Sequence, residues 1–336
     1  MTGIPQVQRE TLDPNFWTAD TLIWHYEQGE RDFSRLDLAR IVLIGLNLSG
    51  IDLGRCLLER ADLSGCDLTS GKLDRADGSY IRLLGANLSL SRLDRVNLSH
   101  ADLAWTNLEK CSLVNADLSH ANLQGAKLIK ANLTGVNLRG ANLQGVDLDG
   151  ANLSRADLSG ANLQGVNLDG ANFNRVDFSE SDLSGADLTE ANLFQADLSG
   201  SKLFRANLEG AFLKRTSLRR ANLRGARLKG AVLRDMDQSL VRLSEFNAGS
   251  GQISHRINFS SACMRGVNLS KATLKRANLG YTSLKQVNLM EAILARVNLT
   301  DASLESTDLR GVNLASGRLG DVNLSEATLP DGSVHR

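Results

Sequence analysis

The chain has 336 residues, its 38 Lys and Arg balance 38 Asp and Glu, and only 4% of it is aromatic. A formal charge of zero argues against generic nucleic-acid binding and against a wholly acidic mimic of DNA. No apolar run approaches the roughly 18 residues of a membrane span, and Met1 to Asp20 has neither the basic start nor the apolar core of a secretion signal, so a cytoplasmic location is expected.

Residues 1–30 form the first segment. Within it, Asn15 to Gly29 reads as a short helix, with Thr18 as its N-cap and Gly29 as its left-handed terminator. Leu22, Ile23 and Tyr26 make an apolar stripe, and two of the three tryptophans, Trp17 and Trp24, lie here. Almost all of the remaining chain is repetitive, and a repeating coil exposes core and unpaired backbone at its open end. The segment is therefore expected to be an N-terminal cap.

From Phe33 onward every fifth residue is Leu or Phe, through Leu38, Leu43 and on to Leu243, with Gly78 and Gln238 as the exceptions. Neither the 3.6-residue helix period nor the two-residue strand period accommodates a strict five. With the Leu at position i, position i−2 is mostly Ala, i−1 is usually Asn or Asp, and i+1 and i+2 are polar, charged or Gly, as in Ala151-Asn152-Leu153-Ser154-Arg155. Two apolar residues around one polar residue describe a very short extended edge with both apolar side chains inward. The remaining two residues must turn the chain, and Gly at i+2 (Gly135, Gly140, Gly145, Gly150) suits a turn that needs positive φ.

These residues resemble the pentapeptide-repeat family over about nine-tenths of the chain. The resemblance implies an all-β, right-handed quadrilateral parallel β-helix, four pentapeptides to a turn. The repeat units then build about 14 coils, a rod of roughly 65–70 Å at the inter-strand spacing. The run Tyr26-Glu27-Gln28-Gly29-Glu30-Arg31-Asp32-Phe33 and the ending Leu329-Pro330-Asp331-Gly332-Ser333-Val334-His335 are similar to the ends of cyanobacterial members, among them a regulator of heterocyst differentiation.

The first run of repeats spans 31–243 and is interrupted at 244–258, around Ala248-Gly249-Ser250-Gly251. Leu243 and Phe259 are one residue further apart than three whole pentapeptides allow, so a bulge or loop is expected there. The repeat resumes at Phe259, Met264 and Leu269 and continues over 259–331, leaving a tail at 332–336. Gly78 is read as a smaller defect.

Catalytic signatures are absent: no G-x-S-x-G, H-E-x-x-H or Rossmann G-x-G-x-x-G occurs, so no enzyme, cofactor or small-molecule substrate is expected. Cys56, Cys66 and Cys111 occupy the inward i−2 position and read as small hydrophobes, and Cys263 sits at i−1 of the second register. His100 and His120, both at i+2 and twenty residues apart, are expected to stack about 5 Å apart with Tyr80 below and Gly140 above. No adjacent carboxylate stands at that corner in the same ladder, so a solvent-facing column is expected and no metal.

Charge separates along the chain. Residues 137–200 carry ten acids against three arginines, and residues 202–235 carry ten bases against Glu209 and Asp235. Within the basic block, Lys214, Arg215, Arg219, Arg220, Arg224, Arg227 and Lys229 fall on successive faces and form a belt around the rod. A nucleic-acid groove would want one basic stripe with interleaved aromatics, which the belt lacks. The expected function is a rigid, non-enzymatic and regulatory interaction scaffold, docking an acidic partner patch on that belt. The alternatives are a DNA-mimic modulator of DNA gyrase, as some relatives are, and a structural spacer with no specific partner. A monomer, or a homodimer through a coil end, is expected.

Overall fold

In the computed structural model, the described residues are 17–227, 231, 259, 260, 262, 264, 269, 270, 272, 274–314 and 317–335. The interruption at 244–258, together with Lys229 and Cys263, lies outside them.

The chain opens on α1, Ala19–Glu27. Thr18 stands at its N-cap in extended conformation and accepts the Thr21 N–H at 3.2 Å. The turn after α1 passes through Gly29 at φ 95°, whose N–H bonds the Tyr26 carbonyl at 3.0 Å. Leu22 is fully buried, the Trp17 and Phe33 rings meet edge to face at 5.8 Å, and the Tyr26 hydroxyl donates to the Ser49 carbonyl at 2.8 Å. The helix thus lies against the first coil.

From Asp32 the backbone winds as a right-handed quadrilateral β-helix. Each edge is too short for a strand of its own and makes isolated parallel bridges to the residues twenty places before and after it, as in Asn137↔Asp157 and Asp157↔Asp177. Twenty residues therefore close one four-sided coil. Positions i−2 and i point inward: Leu and Phe centres and their Ala, Val or Cys partners are almost all below 3% exposed. Each buried Leu contributes about 1.5–3 kcal/mol from burial.

The unit 156–160 shows why the pentapeptide has this composition. All five of its N–H groups are paired. Ala156 donates back across the turn to Leu153, Asp157 to the coil below at Val136, and Leu158 and Gly160 to the coil above at Asp177 and Ser179, at 2.7–3.0 Å. That leaves the N–H of Ser159, which has no carbonyl within reach. The Asp157 carboxylate accepts it at 2.9 Å. Asn or Asp at i−1 thus completes the backbone inventory, because an unpaired backbone donor is costly.

The corner at i+2 has the positive φ that its glycines suggested. It is left-handed throughout, yet it is not reserved for glycine: Arg55, Tyr80, His100, Trp105 and Glu180 all hold φ between 57° and 61°. For an L-residue this costs about 1–2 kcal/mol. The N–H bonds to the neighbouring coil fix the geometry regardless of the side chain.

Gly78 also differs from expectation. Its register is intact, with its N–H on the Asn97 carbonyl at 2.7 Å, and the missing Leu is replaced from outside. A Cβ built there would lie 3.1 Å from Leu98 and 3.4 Å from Ile81. Ile81 occupies an i−2 site that normally holds Ala and fills the vacancy.

Cys56, Cys66 and Cys111 are free, buried thiols at i−2. Cys56 and Cys66 donate to carbonyls of the previous coil, at Phe33 and Leu43. Burial pushes the Cys56 thiol up to about 11 and the Cys111 thiol up to about 12, so neither is a reactive thiolate. At the far end, Gly332 turns at φ 86° and Val334 pairs antiparallel with Thr328. There the Asp331 carboxylate accepts the Ser333 N–H at 2.9 Å.

These side-chain acceptors make stability depend on acid. The Arg310 guanidinium holds the Asp308 carboxyl below its usual 3.8, and the Ser333 hydroxyl does the same for Asp331. A carboxyl with a depressed folded pKa stabilises above its unfolded value and loses that contribution as pH falls through the folded one. Thermal stability is therefore expected to fall below about pH 4. Asp308→Asn, which keeps the acceptor but not the charge, should shrink that loss. An unchanged acid limb in the variant would remove Asp308 from the explanation.

Candidate functional site

The regular coil gives every outward residue an address: position in the pentapeptide sets its place on the edge, and position modulo twenty sets its face. Lys214 and Arg215 stand on the face centred at Leu213, Arg219 and Arg220 on that of Leu218, and Arg224 on that of Leu223. Arg227 leads onto the fourth. The belt therefore encircles the rod. Arg215 and Arg220 project from consecutive corners, both at φ 60°. Arg215, Arg219 and Arg220 are exposed and make no hydrogen bond or ion pair through their side chains with the described residues. Arg227 is engaged, holding Glu209 at 2.8 Å. Where the belt meets the acidic segment, Lys202 contacts Asp182 at 3.4 Å.

Aromatic rings stand beside the belt, though not as a stripe. Phe194 and Phe212 stack at 6.3 Å with 22° between their planes, on the same face as Lys214. The Arg205 guanidinium lies 4.9 Å over the Phe204 ring. Phe212 is 37% exposed at i−1, a position that is mostly Asn, Asp or another polar residue, with Val42, Leu57 and Ile293 as further apolar exceptions. The signal in the sequence was a large apolar residue at i−1 or i+1, outside the inward pattern. Basic groups beside a partly exposed ring pair make a surface suited to protein contact, where aromatic and Arg side chains dominate binding.

The histidine column stands as the spacing implied. Tyr80 and His100 stack at 4.8 Å and 4°, His100 and His120 at 5.1 Å and 13°, and His120 leans over Gly140. The parallel rings do not converge on a common point. Among the described residues no group of three or more His, Cys, Asp or Glu is placed to hold a metal. No described helix is long and apolar enough to cross a membrane.

One feature went unseen in the sequence. Arg35, Arg55, Arg75 and Arg95 line up on a single corner beside a groove of about 530 Å³. They are invisible at a period of five and appear only when the chain is read at twenty.

Comparison with known proteins gives one consistent result. The pentapeptide-repeat pattern matches in 8 copies, over segments from residue 32 to 235 and again over 255–289 and 292–329. Among solved structures, HetL, a pentapeptide repeat protein involved in heterocyst differentiation regulation from the cyanobacterium Nostoc, shares 26% identity. That match covers 95% of this chain and 100% of HetL, with a TM-score of 0.25. QnrB1, a plasmid-mediated fluoroquinolone resistance protein, shares 20% identity over 58% of this chain and 86% of its own, with a TM-score of 0.28. A pentapeptide repeat protein of the Arabidopsis thaliana thylakoid lumen shares 32% identity over 32% of this chain and 68% of its own, with a TM-score of 0.21. No curated protein matches.

Proposed function

Because the chain belongs to the pentapeptide-repeat family, whose rods present side chains on a rigid lattice, we propose that it is a non-enzymatic scaffold that docks an acidic patch of a protein partner. The contact is the part of the belt that Lys214, Arg215, Arg219, Arg220 and Arg224 carry around three successive faces, anchored by Phe212 on the first of them. Its output is regulatory: it controls what the partner can touch. The observation that carries the reading is the pairing of the unengaged Arg215, Arg219 and Arg220 with the stacked Phe194–Phe212 rings on a backbone whose donors are already satisfied. Such a surface loses little freedom on binding. On this reading the chain works in the cytoplasm, and α1 caps the first coil, supported by buried Leu22 and the Tyr26–Ser49 bond. The stretches 31–243 and 259–331 are read as one β-helix interrupted at 244–258.

The test is affinity capture from lysate of the source organism, comparing wild type with the quadruple variant R215E/R219E/R220E/R224E. The corner accepts Glu, as Glu180 and Glu190 show. A partner held by wild type, released as salt shortens the Debye length and at least tenfold depleted with the variant, is expected. A partner retained equally by the variant moves the contact elsewhere on the rod. Absence of any specific partner favours the spacer.

A further inference from the structure

One corner of the rod is lined by arginine. Arg35, Arg55, Arg75 and Arg95 succeed one another coil by coil, and after Asn115 and Gly135 the row resumes with Arg155, Arg175 and Arg215. All seven are exposed and hold φ between 59° and 65°. Their backbone is tied to the next coil, as Arg55 N–H to Asp74 and Arg75 N–H to Asp94 at 2.9 and 3.0 Å. The row is therefore straight and rigid, with a pitch of about 4.8 Å. Arg175 leans on Gln195 at 2.9 Å, and the other six guanidinium groups hold no described partner.

The carboxylates around the first four arginines are already engaged. Asp52 holds Lys72 and Asp74 holds Arg92, each at 3.1 Å, and Glu59 holds Arg60 at 3.3 Å. Asp32 accepts the Ser34 N–H at 3.0 Å, Asp77 the Ser79 N–H at 3.2 Å and Asp94 the Val114 N–H at 3.1 Å. The groove beside them is lined by five arginines, Arg92 being the fifth, against three aspartates. On the other flank the second group faces Asp157 and Asp177, whereas the first has Leu57 and Asn97 alternating with Asp37 and Asp77. The first four thus make the stronger anion site.

We propose that this row binds a linear inorganic polyphosphate, each guanidinium taking two phosphate oxygens. Pitch and straightness select the ligand. Phosphates joined through a single bridging oxygen lie closer together than the coils do. A flexible chain along the corner therefore brings oxygens to every arginine without needing register. Acidic protein surfaces fall out of step: an extended strand presents side chains on one face about every 6.6–6.8 Å, and a helix presents i, i+4 charges about every 6 Å. The backbone of a nucleic-acid duplex winds away from a straight row. Single strands draw affinity from bases stacked on aromatic side chains, and no ring stands on this corner from Arg35 to Arg215. Each exposed contact contributes little alone, so affinity grows with the number of arginines engaged and falls as salt rises.

The experiment is a fluorescence-anisotropy titration of end-labelled, long-chain inorganic polyphosphate with the full chain. Tripolyphosphate, oligothymidylate and polyglutamate serve as competitors at equal charge. Two variants are compared, R35Q/R55Q/R75Q/R95Q in the row and K214Q/R219Q/R220Q/R224Q in the belt, which removes the same charge elsewhere. Arg215 belongs to both surfaces and stays unchanged. Gln already occupies the left-handed corner at Gln195 and Gln286, and far-UV circular dichroism verifies folding. Wild type is expected to bind the long chain and to release it in 1 M salt, with tripolyphosphate a much weaker competitor because it spans too few arginines. The row variant is expected to lose about tenfold or more in affinity and the belt variant less than about threefold. No binding by wild type, equal binding by the row variant, or a loss confined to the belt variant would each overturn the proposal. Oligothymidylate or polyglutamate competing as well as polyphosphate would overturn it too.

Discussion

Phe178→Ala is expected to cost about 3–5 kcal/mol of stability, at the top of what a single core truncation does. Phe173 and Phe178 are both fully buried and meet edge to face at 5.0 Å and 66° on adjacent faces of one coil. Such a pair adds about 0.5–1.5 kcal/mol beyond its buried area. The coil cannot collapse around the void, because the Phe178 N–H is tied to Asp197 at 2.6 Å and the Asp177 N–H to Ala156 at 3.0 Å. Phe178→Leu, which installs the commoner residue of the repeat, should cost less than about 1.5 kcal/mol. Urea unfolding monitored by circular dichroism measures both. A Phe178→Ala loss below about 1 kcal/mol would mean that the lattice relaxes far more than its hydrogen bonding implies.

The second large effect is at Ile81. Ile81→Ala is expected to cost toward the upper half of the roughly 2–5 kcal/mol range for such truncations, although most i−2 positions are Ala. The reason is Gly78: with no centre side chain there, Ile81 and Leu98 fill its space. Adding Gly78→Leu to Ile81→Ala recreates the ordinary small-then-large unit and should recover more than half of the loss. A double variant no more stable than Ile81→Ala alone would show that the two positions are not coupled.

Gly78 also shows which features are legible in the sequence and which are not. The inward residues were legible because burial demands apolar side chains at i−2 and i, and a period of five can come from no ordinary helix or strand. A missing Leu looked like a defect because compensation by Ile81 is a contact across a turn, which periodicity does not display. Asn and Asp at i−1 were legible as polar. Their task, accepting the i+1 N–H as Asp157 does for Ser159, emerges only when every backbone donor is traced. The left-handed corner was inferred from its glycines, and Arg55, Tyr80 and Trp105 showed that hydrogen bonds from neighbouring coils override local preference. The belt was found by counting charge along the chain. The arginine column and the Phe194–Phe212 pair were missed, because they depend on residues eighteen or twenty apart becoming neighbours.

The central claim is that the belt face around Phe212 is where a protein partner docks. The most direct measurement replaces Phe212 by a photo-cross-linking phenylalanine derivative, with the same replacement at Tyr281, an aromatic corner residue 68% exposed outside the belt, as control. Irradiation in lysate of the source organism is predicted to give one discrete adduct from position 212, lost in high salt and in the R215E/R219E/R220E/R224E background, and none from position 281. Adducts from position 281 alone, equal adducts from both, or none from position 212 would contradict it.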